Sequence, residues 1–294
     1  MRALVISGGG SKGAFAGGVA QYLIQEAKRS YDIFIGTSTG SLLLAHLALE
    51  DFETIYEAYT SVNQKSIFNN NPFAIQKVKG HTQIGIHHWN VLKNFWRKSK
   101  TFGESKNLRD LYASQLSEND FNRLKKQSKK IVVTVANITT NKLEYKLLED
   151  CSFDEYIDWV WISCNFIPFM SLVVKNNYEY ADGGLGCIVP ITEAIRLGAT
   201  SIDTIVLDTE VPHYNRLHSR NAFDNMGHVF DFMGNRIKEQ NIEVGKLRAK
   251  EQDVDLNLIY TPSVLTTNSL IFDASQMRKW WMRGWIHAKN TLDI

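Results

Sequence analysis

Two glycine-rich turns within residues 1–50 constrain this chain more than any other feature. Residues 2–7 form a short apolar run, and Gly8-Gly9-Gly10-Ser11-Lys12-Gly13 follows it. Phe15, Val19, Tyr22, Leu23 and Ala27 then recur at helical spacing, which marks a helix packed on a sheet. The same order comes again. Residues 31–35 are a second short strand, Gly36-Thr37-Ser38-Thr39-Gly40 a second tight turn, and residues 41–50 a Leu- and Ala-rich helix without Gly or Pro. This alternation is that of a parallel sheet covered by helices, because parallel neighbours need a crossover and a helix supplies it.

The remaining chain supplies more strands. Residues 131–138 are rich in β-branched side chains and read as a central strand, with 143–148 as a second strand after the Thr140-Asn141 turn. Residues 153–163 read as an apolar helix, and 172–175 with 178–181 flank Asn176-Asn177 as a hairpin. Buried strands are predicted over 202–207 and 256–260, and long helices over 225–250 and 274–289. Residues 51–130 are mostly helical and irregular in pattern, broken by the Asn69-Asn70-Asn71-Pro72 loop. Ser117, with Asp120 three positions on, opens a helix to about Gln127. No repeat or linker divides the chain, so the expectation is one α/β domain over residues 1–294 with a mainly helical insertion at about 51–130.

Hydrophobic residues make up 44% and charged residues 22%, with a net charge of +2, so the total charge exerts no strong pull toward nucleic acid or membrane. Cys151, Cys164 and Cys187 are odd in number and lack CxxC spacing. That argues against a disulfide framework or a zinc site and suits a reducing cytoplasm. The first apolar run is too short for a signal peptide, and no stretch nears the roughly 18 apolar residues of a membrane span.

The second turn carries chemistry. Glycines two positions either side of a serine allow a sharp strand-to-helix turn that exposes the hydroxyl, and the helix start favours negative charge beside it. Ser38 is therefore the candidate nucleophile, with Gly36, Thr37, Thr39 and Gly40 as its elbow. The first turn converges several backbone N–H groups on one point, as an anion requires. It matches GxGxxG at Gly8, Gly10 and Gly13, but no acidic residue stands at the end of the second strand, as a dinucleotide site expects. It is no P-loop either, since Gly13 follows Lys12. An oxyanion hole serving Ser38 is the third reading. None of the eight histidines stands at a clear strand end, and the turn comes too early for the α/β-hydrolase order. Asp182-Gly183-Gly184, after residues 178–181, puts a carboxylate on a tight turn, although the tripeptide alone is also an ordinary turn.

Together the three motifs resemble the patatin-like phospholipases. The Gly8–Gly13 run resembles that family's oxyanion loop, Gly36-Thr37-Ser38-Thr39-Gly40 its nucleophile elbow, and Asp182-Gly183-Gly184 its Asp-Gly-Gly/Ala motif. The likeness covers about residues 1–50 and 178–198. Ser7 stands where the family usually has Asp or another small residue, and Lys12 replaces the commoner Arg, keeping the charge without the bidentate fork. The resemblance implies a three-layer α/β/α sandwich with a mainly parallel central sheet. It implies a Ser38–Asp182 dyad, an oxyanion site among Gly8, Gly9, Gly10, Lys12 and Gly13, and hydrolysis of phospholipid or other acyl esters through an acyl-enzyme. Of these, the N–H groups of Gly9 and Gly10, with that of Thr39, would hold the oxyanion. No metal and no cofactor is implied. The competing reading is a nucleotide-binding module built on Gly8–Gly13 without catalysis.

A phospholipase must meet lipid, and three stretches contain the residues for it: 89–100, 125–130 and 278–289 combine basic and, in the first and last, aromatic side chains. Trp281 and Trp285 stand at i, i+4, so packing of the last helix on the core is the favoured reading of 278–289. The expectation is a cytoplasmic protein with peripheral membrane contact; the sequence is silent on oligomeric state.

Overall fold

The computed structural model describes residues 1–78, 81–86, 96, 99–211, 218–219 and 221–292. Five apolar strands run parallel at its centre. β1 (Arg2–Ile6) pairs with β2 (Ile33–Thr37) on one edge. Further along the chain, β5 (Lys130–Asn137), β9 (Ser201–Val206) and β10 (Asp255–Tyr260) complete the order β10-β9-β1-β2-β5. β6 (Lys142–Leu147) and the hairpin of β7 (Val173–Lys175) and β8 (Tyr178–Asp182) join β5 antiparallel, so the sheet is mixed beyond its parallel centre.

The sheet is covered on both faces, as continuous apolar strands require. Side chains alternate along β1: Leu4 and Ile6 join one core cluster, Ala3 and Val5 the other. The first cluster packs against α1 (Gly13–Gln21, continued by a π turn at Tyr22–Glu26), α2 (Thr39–Leu49), α7 (Phe153–Ser163) and α10 (Ala274–Leu292). The second packs against α8 (Ile191–Arg196) and α9 (Ala222–Glu251) through Ile191, Ile195, Ile242 and Ala249. This is the expected α/β/α sandwich.

The insertion departs from its helical expectation in one place. It contains α3 (Phe52–Ser61), α4 (Gln64–Ile67), α5 (Lys106–Gln115) and α6 (Glu118–Lys126). Between them β3 (Phe73–Val78) and β4 (His81–Ile86) form a separate antiparallel pair, with Phe73 opposite Ile86. Each run is short, and the Lys79-Gly80 step between them lacks an Asn-Gly or Asp-Gly turn signature, so periodicity alone does not reveal the hairpin. Ser117 caps α6 as expected, its Oγ accepting the Asp120 N–H at 3.1 Å.

Of the stretch 89–100, only Trp96, Ser99 and Lys100 lie within the described residues, and Trp96 is 82% exposed. In the stretch 125–130, Lys125, Lys129 and Lys130 donate to the carbonyls of Cys151, Ala48 and Leu197. Those three cations hold the fold together rather than standing free. No described helix is long and apolar enough to cross a membrane.

Candidate active site

Ser38 is the residue between β2 and α2, with φ 55° and ψ −127°. A β-carbon is strained there, and such strain persists only where surrounding contacts over-determine the turn. The contacts are backbone to backbone. A Cβ added at Gly40 would lie 2.4 Å from the Ile6 carbonyl oxygen, and one at Gly36 would lie 2.6 Å from the Gly40 carbonyl carbon. Gly40→Ala is therefore expected to cost about 3 kcal/mol or more and to lower Tm visibly in a thermal melt. A wild-type Tm would show that the turn can open without loss.

A buried hydroxyl pins the elbow from behind. The Ser38 N–H donates to Ser163 Oγ at 2.9 Å, and Ser163 Oγ donates to the Thr134 carbonyl at 2.7 Å. Ser41 Oγ lies 3.0 Å from Ser163 Oγ and donates to the Gly36 carbonyl at 2.9 Å. Sequence reading gave Ser163 no role, and no local pattern could: it sits at the end of α7, far in sequence from every partner but joined to them in space. Ser163→Ala leaves the Ser38 N–H without that acceptor. The expected cost is about 1–3 kcal/mol in stability, with kcat falling more than KM rises. Unchanged kcat would show that the elbow holds itself.

Asp182 reaches Ser38 through a change of partner on one strand edge. β2 pairs with β5 as far as Thr37 opposite Thr134. β6 occupies the other edge of β5 from Val132 to Asn137. β8 pairs with β5 at Val135–Asn137, so it takes over the edge that β2 leaves, and Asp182 stands opposite Val135, next to Thr134. The end of β8 thus meets the start of the elbow. Gly183 permits this, since a Cβ there would lie 2.4 Å from the Thr134 carbonyl oxygen.

The Asp182 carboxyl is buried, and its Oδ1 accepts the Gly184 N–H at 2.7 Å. Burial pushes its pKa up to about 7, although hydrogen bonds from the Gly184 N–H and the Ser38 side chain pull it down. A carboxyl poised near neutrality beside a serine can exchange a proton with it. Among the described residues no histidine lines the same cavity. His46 is buried near the Gln115 carbonyl, His287 packs on Phe15, and His87, His88 and His213 lie outside the described residues.

The glycine loop meets Ser38 and Asp182 from the β1 side. Its donors divide into two sets. The N–H of Gly8 goes to the Ile188 carbonyl at 3.0 Å, that of Ser11 to Ser269 at 2.8 Å and that of Lys12 to Gly9 at 3.2 Å. The N–H groups of Gly9 and Gly10 make no hydrogen bond among the described residues. Gly8 lies beside Ser38, with its own donor already spent. Gly10 has φ 54°, and a Cβ there would lie 2.2 Å from the Ser269 carbonyl oxygen. Gly13 lets the loop close on the elbow, since its Cβ position is 2.1 Å from Thr39 Oγ1. Lys12 faces a charged corner of the cavity. Burial lowers its pKa while Asp208 raises it, and Asp208 pairs with Lys238.

Ser38, Thr39, Asp182, Gly184, Gly8, Gly9, Gly10 and Lys12 line one cavity of about 300 Å³, whereas Gly13, Gly36, Thr37, Gly40 and Gly183 shape the turns behind it. Lys12, Asp208 and Lys238 form its polar end, and Phe166, Phe169 and Phe230 contribute apolar wall. A second, almost wholly apolar recess of about 60 Å³ shares Gly10, Thr39 and Leu42 with it and runs on to Ile55, Leu111 and Tyr112. The site therefore joins a charged pole, a serine–carboxyl pair and an apolar channel.

No curated protein sequence matches the chain. Among solved structures it is similar in fold to VipD from Legionella pneumophila, with a TM-score of 0.52 and 14% identity, covering 99% of this chain and 66% of that one. The chain thus spans just under two thirds of the length of VipD. The family description "Patatin-like phospholipase" matches residues 4–195, which take in both glycine turns and the Asp-Gly-Gly motif, and the chain belongs to that family.

Proposed function

We propose that this protein hydrolyses carboxylic esters of phospholipids, in the manner of a phospholipase A or lysophospholipase, through a Ser38–Asp182 dyad and an acyl-enzyme. The observation that carries the reading is that Ser38 and the buried Asp182 carboxyl line one cavity, with burial pushing that carboxyl up to about 7. Asp182 takes the proton as Ser38 Oγ attacks the ester carbonyl carbon. The N–H groups of Gly9 and Gly10 receive the oxyanion. Collapse breaks the ester bond, and the leaving alkoxide takes the proton from Asp182. Water then attacks the acyl-enzyme with Asp182 again as base, which frees the fatty acid and restores Ser38. The apolar recess suits an acyl chain, and the polar end with Lys12, Lys238 and Asp208 is where a headgroup would lie.

The Ser38 N–H, spent on Ser163, is left out of the oxyanion site. A nucleotide-binding role is the weaker reading, because three loop N–H groups are spent on protein carbonyls and the adjoining recess is almost wholly apolar. A cytoplasmic enzyme working at a membrane surface suits the three buried free cysteines.

Fatty-acid release from a panel of phospholipids, followed by mass spectrometry, tests the proposal. Release by the wild type and none by Ser38→Ala is expected; equal release by both would refute it. The pH dependence is a separate prediction. Asp182 acts as base only when ionised, so kcat/KM should rise about tenfold per pH unit below about 7 and level off above it. A profile flat from pH 5 to pH 8 would contradict the assignment of Asp182 as base.

A further inference from the structure

Resting on that encounter with lipid, we infer that the outer face of α10 is the surface by which the protein docks on membranes rich in anionic headgroups. The helix has two unlike sides. Met277, Trp280, Trp281 and Ala288 are buried, and Gly17 and Gly18 of α1 leave room for Trp281 to approach. About a hundred degrees of turn per residue puts Arg278, Lys279, Met282, Arg283, Ile286 and Lys289 together on the opposite side, and all six are exposed. Met282 is 50% and Ile286 48% exposed between the cations. Five of these line one shallow groove along the helix. Residues 274–292 carry no Asp or Glu to offset the charge.

Spaced cations interleaved with exposed apolar side chains on one helical face are what a headgroup interface rewards: the cations meet phosphate while the apolar groups enter the acyl boundary. A nucleic acid would attract the cations but gain nothing from Met282 and Ile286. The face also adjoins the catalytic cavity. Arg283 donates to Ser263 Oγ at 2.8 Å, and the segment from there to α10 includes Thr267, Asn268, Ser269, Leu270 and Phe272 of the cavity wall. Val264, 43% exposed, extends the apolar part toward that wall. Docking on α10 therefore sets a segment of the cavity wall beside the docked helix. The basic stretch at 125–130 offers less, since three of its four cations bond backbone carbonyls.

The test is co-sedimentation of the full chain with vesicles of phosphatidylcholine alone and of phosphatidylcholine mixed with phosphatidylglycerol, at low and high salt. Wild type should bind the mixed vesicles, and high salt should weaken it. Arg278→Glu with Lys279→Glu should reduce that binding by roughly tenfold or more, and Met282→Ser with Ile286→Ser should also reduce it. Both pairs should cleave a soluble short-chain ester at the wild-type rate, which reports that they fold. Wild-type binding by the charge-reversed pair, or equal binding to both vesicle types, overturns the inference. Vesicle binding by a protein that cleaves no ester would instead refute the proposed function and leave the docking face standing.

Discussion

Replacing Asp182 with Asn is expected to abolish most ester hydrolysis while making the fold more stable above neutral pH. Asn keeps the size and an acceptor for the Gly184 N–H, but it cannot take the Ser38 proton, so kcat should fall by roughly a thousandfold or more. The stability gain follows from the raised pKa. In the unfolded chain the carboxyl titrates near its ordinary 3.8; in the native protein it titrates at about 7. Between those values the native state binds the extra proton. Wild-type stability from this group is thus fully present below 3.8, declines as pH rises toward about 7, and is constant above. The penalty amounts to about 4 kcal/mol at most. Thermal melts should therefore show the variant gaining on wild type from pH 4 to pH 8. A variant less stable than wild type at pH 8, or one that hydrolyses at the wild-type rate, would contradict the role given to Asp182.

Ser38→Ala should have the larger effect on rate, roughly a 10,000-fold loss or more, because no covalent intermediate can form. Its comparison with Ser38→Gly reads the strain in the elbow. Alanine retains the Cβ at φ 55°, whereas glycine does not. Both variants should be inactive. The glycine variant should nevertheless match or exceed the alanine variant in stability, by about 1 kcal/mol after its own entropic cost. An alanine variant clearly more stable than the glycine variant would mean that the turn is relaxed.

The parts of this site legible in the sequence are those where backbone touches backbone. Gly36, Gly40, Gly10 and Gly183 stand where an added Cβ would meet another chain segment, and those glycines drew attention to both turns and to Asp182. Apolar runs gave the central strands, and the apolar length of residues 153–163 matches α7. What stayed hidden depends on partners distant in sequence. The exchange of β2 for β8 along β5 is a fact of pairing, invisible in any one strand. The Ser163 support and the diversion of the Gly8 donor to Ile188 are likewise tertiary. The β3–β4 pair lies outside the main sheet and lacks long alternation, so a helical expectation stood unopposed there. On α10 the tryptophans read correctly as core, but the division between a packed side and a basic side emerges only once burial is known.

The most direct test of the central claim is the rate of fluorophosphonate labelling, measured across pH on wild type and on Asp182→Asn, with the labelled peptide identified by mass spectrometry. One label is expected, on Ser38, whose rate rises with pH through about 7 and is strongly reduced in the variant. Labelling of another residue, or a Ser38 rate untouched by the loss of the Asp182 carboxyl, would contradict it.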